Sequence, residues 1–207
     1  YVMMCQAKRA GYERQHTALD LHDRKCDLNL ARLHKAGIQG VRTVSGDACE
    51  LDEVLTSFDA MLGEPVKFDT VFIDAPCSGT GTMRRHPEIP WRLTENDVTT
   101  ELPKLQLAML KEAAVRVAAG GELIYATCSV FDEENTQVVY AFLASPEGAG
   151  FTMAPLSGAQ ILQLPDFEQA KKLVSVRQND RGLFQSVPVN ADSYDGHFCA
   201  RLVRQSS

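Results

Sequence analysis

The stretch "FDTVFIDAPCSGTG", residues Phe68 to Gly81, runs from a short apolar segment directly into an acid, a proline, a cysteine and a string of small residues. The apolar run reads as a strand, and Pro76 stiffens the turn that would present Cys77 beside Asp74 at its tip. The arrangement recurs in "GGELIYATCSV", Gly120 to Val130, where a second apolar run ends in Cys128. Two strand ends therefore carry two thiols.

Outward from these stretches, strands and helices alternate. "HTALDL" (His16 to Leu21) reads as a strand; the following segment carries Leu28, Leu30, Leu33 and Ile38 at roughly helical spacing and stops near Gly37. "GVRTVSGD" reads as a strand ending at Asp47, and a short helix is expected around Leu51 to Phe58. After a long polar loop, "LPKLQLAMLKEAAVRVAAGG" reads as a helix opened by Leu102 or Pro103. Its expected apolar face is Leu105, Ala108, Met109, Ala113 and Val117, and Gly120 is its expected stop. Strand "ELIYATCS" and helix "DEENTQVVYAFLAS" follow, and "AQILQL", "GLFQSVPV" and "GHFCARLVR" read as short strands of an antiparallel edge. This alternation predicts an α/β fold with a mostly parallel sheet covered on both faces.

At 207 residues, 44% hydrophobic and 23% charged, the chain fits one globular domain, residues 1–207. The formal charge of -6 excludes a surface that grips nucleic acid by charge alone, so phosphates would have to be held by a local basic strip. Six scattered cysteines lack the paired short spacings of a zinc site and predict reduced thiols in a cytoplasmic protein, with no metal. No run reaches the roughly 20 apolar residues of a membrane span, so no membrane partner is expected. The absence of an initiator methionine predicts a chain that begins inside a longer protein.

In such a sheet, ligands bind beyond the carboxyl ends of the strands. Asp20, Asp47, Asp74 and Cys128 each lie at or just past a predicted strand end. Asp20 suits ribose hydroxyls and Asp47 an adenine amino group, although an acid at such a position also serves as a turn former.

"DAPCSGTGTMRRHPEIPWR" (Asp74 to Arg92) together with "YATCSVFDEEN" (Tyr125 to Asn135) resembles the signature pair of the Sun/Fmu-type RNA cytosine-5 methyltransferases. The likeness extends through "ALDLHDRKCDLNLARLHKAGI", similar to the family's nucleoside-binding strand and helix, and "DGHFCARLVR", similar to its closing strand. The resemblance implies a Rossmann-like catalytic domain that uses S-adenosylmethionine to methylate carbon 5 of cytosine in RNA, with ribosomal RNA favoured over transfer RNA. It implies Asp20, Asp47 and Asp74 as cofactor-binding residues. Cytosine carbon 5 is a poor nucleophile, and a thiolate adding at carbon 6 would push electron density onto it. By resemblance that thiol is Cys128. Asp74 would hydrogen-bond the ring nitrogen, and Cys77 would assist release of the protein from RNA. The family's glycine-rich cofactor turn, normally placed before the helix that here would start at Tyr1, is absent from the sequence. Loss of the strand it follows would strip hydrogen bonds from two neighbours.

The remaining motifs carry two readings. Arg84, Arg85 and His86 are either a solvated loop or an RNA phosphate contact, with Trp91 bracing the loop or stacking on a base. Lys104 reads as surface, and Cys5, Cys26, Cys49 and Cys199 as inert packing. Two other functions stand beside the cytosine reading. One is a noncatalytic nucleotide- or partner-binding domain of the same fold. The other is an amino-group methyltransferase, which needs no thiol and places an aromatic after its proline, so "DAPCS" and "TCS" count against it.

Overall fold

The computed structural model describes residues 16–155, 183–188 and 194–206, together with the backbone of 175–178. Cys5, the expected helix at Tyr1 and the expected strand "AQILQL" lie outside the described residues. The chain divides into two compact units, Tyr1–Val66 and Lys67–Ser207.

In the first unit, β1 (His16–Asp20) pairs parallel with β2 (Val41–Ser45), from His16↔Val41 to Asp20↔Ser45. Between them runs α1 (Asp23–Lys35), which buries Cys26 and Leu33. Leu28 of the expected face is instead 49% exposed, and Cys26 takes the inward place. The helix stops where Gly37 turns to φ 68°, a conformation glycine adopts without steric cost, and the Ile38 N–H then bonds the Leu33 carbonyl at 2.9 Å. The short helix expected near Leu51 is two pieces, α2 (Leu51–Val54) and α3 (Thr56–Leu62).

The second unit is built on a six-stranded sheet. Strand β3 (Phe68–Asp74) pairs parallel with β4 (Val117–Thr127), which pairs antiparallel with β8 (His197–Arg204). Along β8, β7 (Leu183–Val187) pairs with the first half and β5 (Phe151–Met153) with the last three residues; β6 (Ser175–Gln178) extends the sheet beyond β7. The α/β order with an antiparallel C-terminal edge is thus the one expected. Among the described residues β1 pairs only with β2 and β3 only with β4, and Phe72 on β3 is 47% exposed. Helices α4 (Ile89–Arg92), α5 (Leu102–Arg116) and α6 (Thr136–Leu143) complete this unit.

The core lies around β4 and β8, where Leu123, Tyr125, Ala200 and Leu202 are fully buried. Tyr125 meets Phe198 edge-on at 6.2 Å, and Phe142 of α6 meets Phe151 of β5 at 5.5 Å. One expectation fails at α5. The helix ends at Arg116, not Gly120, because Val117 turns extended and joins β4 opposite Phe68 with its side chain fully buried. The buried face is Gln106, Leu110, Ala113 and Ala114, while Leu105 is exposed. An alanine-rich segment offers two apolar stripes, and the polar Gln106 conceals the inward one. Among the described residues, no helix is long and apolar enough to cross a membrane.

Candidate active site

Strands β3 and β4 lie side by side and parallel, with Asp74 opposite Ala126, so the turns that follow them leave the sheet at the same end. The Ala75 N–H bonds the Ala126 carbonyl at 2.9 Å, and the Gly81 N–H bonds the Cys128 carbonyl at 2.8 Å. These bonds bring the Cys77 and Cys128 sulfurs to 3.3 Å. Neither is in a disulfide.

Two thiols in contact cannot both ionise easily, and they share a proton. Hydrogen bonding from Cys77 holds Cys128 down at about 7, against burial and the nearby charges of Asp74 and Glu134. The same contact, followed by burial, pushes Cys77 far above the ordinary thiol range. Of the pair, Cys128 is thus the thiol that ionises more readily near neutral pH and Cys77 the one that keeps its proton. Asp74 is the exposed last residue of β3 and acts on Cys128 through its charge.

Behind the thiols lies a polar network that the sequence did not announce. Glu134, fully buried, accepts from the Ser78 N–H at 2.8 Å and Gln106 Nε2 at 3.1 Å through Oε1, and from the Ser129 hydroxyl at 2.5 Å through Oε2. Gln106, also fully buried, donates to the Pro76 carbonyl at 2.9 Å. Asn135 accepts from the Thr127 hydroxyl at 2.6 Å and donates to the Ser129 carbonyl at 2.9 Å. The only signal available in the sequence was the acid-amide pair closing "YATCSVFDEEN".

The basic loop after Cys77 carries an ion pair. Arg85 donates through Nε to Asp195 at 2.8 Å and holds that carboxyl below the usual range, yet more than half of its side chain stays exposed. His86 Nδ1 lies 3.4 Å from Glu88, and Arg92 is 3.7 Å from the same carboxylate. Arg84 is exposed and adds its charge to the field at Asp195. Trp91 is 90% exposed, which excludes bracing and leaves its ring open to a partner. Lys104 is exposed, as expected.

Of the other acids, Asp20 accepts the His22 N–H at 3.0 Å and Asp47 the Cys49 N–H at 2.8 Å, so both form turns of their own at the end of the β1–β2 pair. They belong to the first unit, whereas Asp74, Cys77 and Cys128 belong to the second. Cys26 is buried with its sulfur 3.3 Å from the Val44 carbonyl, and burial pushes Cys199 up to about 11, as befits packing residues.

Comparisons with known proteins place this geometry in a family. The ribosomal RNA small subunit methyltransferase B of Citrobacter koseri is 48% identical over 86 residues, 42% of this chain and 20% of that protein. Its namesake in an Enterobacter species is 34% identical over 139 residues, 67% of this chain and 27% of that protein. The chain thus spans about a quarter or less of the length of these relatives. Among solved structures, PH0851 superposes with a TM-score of 0.67 at 28% identity over 90% of this chain and 36% of its own. NSun6 from Pyrococcus horikoshii, solved with SFG, gives a TM-score of 0.70 at 19% identity over 98% of this chain and 44% of its own, a likeness of fold. The sequence model described as 16S rRNA methyltransferase RsmB/F matches residues 7–203, nearly the whole chain, and the chain belongs to that family.

Proposed function

We propose that the protein methylates carbon 5 of a cytosine in RNA, ribosomal RNA before transfer RNA, through a covalent adduct with Cys128. The observation that carries this reading is the 3.3 Å thiol pair, with Cys128 held at about 7. A methyltransferase acting on amino groups, whose nitrogen attacks directly, has no use for such a pair. A noncatalytic binding domain would not need a thiol held this low either.

The residues present suit S-adenosylmethionine: Asp20 ends β1 and Asp47 lies just past β2, carboxylate acceptors of the kind that ribose hydroxyls and an adenine amino group require, and in the other unit Asp74 ends β3. When bound, S-adenosylmethionine would supply an electrophilic methyl group. The chain's own residues do the rest. Cys128, as thiolate, adds to carbon 6 of the ring and makes carbon 5 electron-rich. Asp74 hydrogen-bonds the ring nitrogen as charge builds there. Once carbon 5 is methylated, its proton passes to a water molecule with Cys77 assisting, the released electron pair restores the 5,6 double bond, and the carbon 6–sulfur bond breaks to return the Cys128 thiolate. Arg84, Arg85 and His86 contact phosphates, and Trp91 offers a face for a neighbouring base.

The test is the adduct. In the intact protein with cofactor and substrate RNA, Cys77→Ala accumulates a species of retarded mobility on a denaturing gel, and Cys128→Ala abolishes both it and methyl transfer. Adduct accumulating in Cys128→Ala would exchange the roles of the two thiols; none in either variant would remove the covalent mechanism.

A further inference from the structure

Two turns from different strands hold two sulfurs in contact, and something must fix the turns to each other. The Ser78 and Thr80 hydroxyls reach Ser129 at 3.2 and 3.3 Å, and one buried carboxylate ties the two turns from behind. The Oε1 of Glu134 is bonded to the peptide N–H just after Cys77, and its Oε2 to the side chain just after Cys128. The peptide carbonyl just before Cys77 is gripped by Gln106, which is itself bonded to Glu134. Cys77 is thereby clamped on both flanks from a single carboxylate. The Glu134 carbonyl in turn accepts the Tyr125 hydroxyl at 2.6 Å, which fixes the residue from its other end to the fully buried centre of β4. A buried carboxylate is a costly way to fill a core, since apolar side chains of similar volume do so at lower desolvation cost. Its value lies in geometry.

We infer that Glu134 is a positioning residue that bridges the Cys77 and Cys128 turns and holds the two thiols within bonding distance. Its charge also opposes ionisation of Cys128, so the thiolate is set by contact with Cys77 and not by the carboxylate behind it. The inference rests on the proposed pairing of these thiols, but it is tested without methyl transfer. Gln106 and Asn135 support the same clamp, one at Pro76 and the other at Thr127 and Ser129.

Phenylarsine oxide reads the thiol pair directly. The arsenic forms one bond to each sulfur, and its oxygen leaves as water with the two thiol protons, so no oxidant is needed. Binding to the intact protein is measured by titration, and the part lost in Cys77→Ala is assigned to the pair. Glu134→Ala, which removes both arms, is expected to weaken that binding at least tenfold. Glu134→Gln, which keeps the length and one oxygen acceptor, recovers most of it. Near-ultraviolet circular dichroism and melting establish that each variant is folded. A folded Glu134→Ala that binds like the original protein overturns the inference. If Glu134→Ala does not fold, Ser129→Ala cuts the Cys128 arm together with the Ser78 and Thr80 hydroxyl links, and a Ser78→Ala, Thr80→Ala variant removes those links alone: pair binding weakened further in Ser129→Ala supports the bridge, and equal binding in the two overturns it. Absence of an RNA adduct in the preceding experiment would defeat the cytosine reading while leaving this result standing.

Discussion

Removing the Cys77 thiol takes away the main influence that favours the Cys128 thiolate and leaves those that oppose it: partial burial and the charges of Asp74 and Glu134. The sign follows directly. Alkylation of Cys128 by iodoacetamide, followed by mass spectrometry of its peptide across pH, should show a midpoint at about 7 in the original protein. In Cys77→Ala the midpoint should move up, to at least the ordinary thiol value of about 8.5. A midpoint that stays or falls would show that Cys77 is not the donor. At this scale the sequence disclosed the reactive atoms, because thiols and acids at strand tips are visible as letters. The family resemblance named Cys128 as the attacking thiol, but the influence that favours its ionisation was not visible as letters, since it is a contact between residues 51 positions apart.

Between the strands, the loop carrying "CSGTG" is fitted by glycine where two backbones touch. A Cβ on Gly81 would lie 2.2 Å from the Gly196 carbonyl oxygen and 2.7 Å from that of Cys128, both main chain and neither able to swing aside. Gly81→Ala should therefore push the Cys77 turn away from the Cys128 turn. The expected cost is about 1–3 kcal/mol, seen as a lower melting temperature. The Cys128 alkylation midpoint should rise with it, and a variant that melts lower while keeping a midpoint near 7 would separate stability from thiol contact. Element order was legible because apolar runs alternate with helical spacing, and the β1, α1, β3 and β8 regions lie where the pattern put them. The end of α5 was not, since Val117 suits a helix or a strand and only its pairing with Phe68 decides. Nor was the Glu134 network, because an acid in a polar run reads as solvent-facing until the fold closes over it.

Across the described residues, apolar burial is uneven. The second unit holds the fully buried Leu110, Val117, Leu123, Tyr125, Val139, Phe142, Ala200 and Leu202, whereas the first unit's core, Cys26, Leu33, Ile38, Leu51 and Leu55, retains some exposure at every position. Among the described residues the β1–β2 sheet has two strands and the sheet around β4 has six, and a two-stranded ribbon gains little stability from its own pairing. Local opening should therefore begin in the first unit. Hydrogen exchange read by mass spectrometry should label Val41–Ser45 well before Leu123–Ala126, by openings that leave the latter protected. Leu123→Ala should cost about 2–5 kcal/mol and accelerate exchange through β3, β4 and β8 together, because its side chain has no solvent contact and the three strands share one ladder. Equal exchange of β2 and β4 in the original protein would mean instead that the chain opens as one cooperative body, and that the uneven burial does not govern the order of its opening.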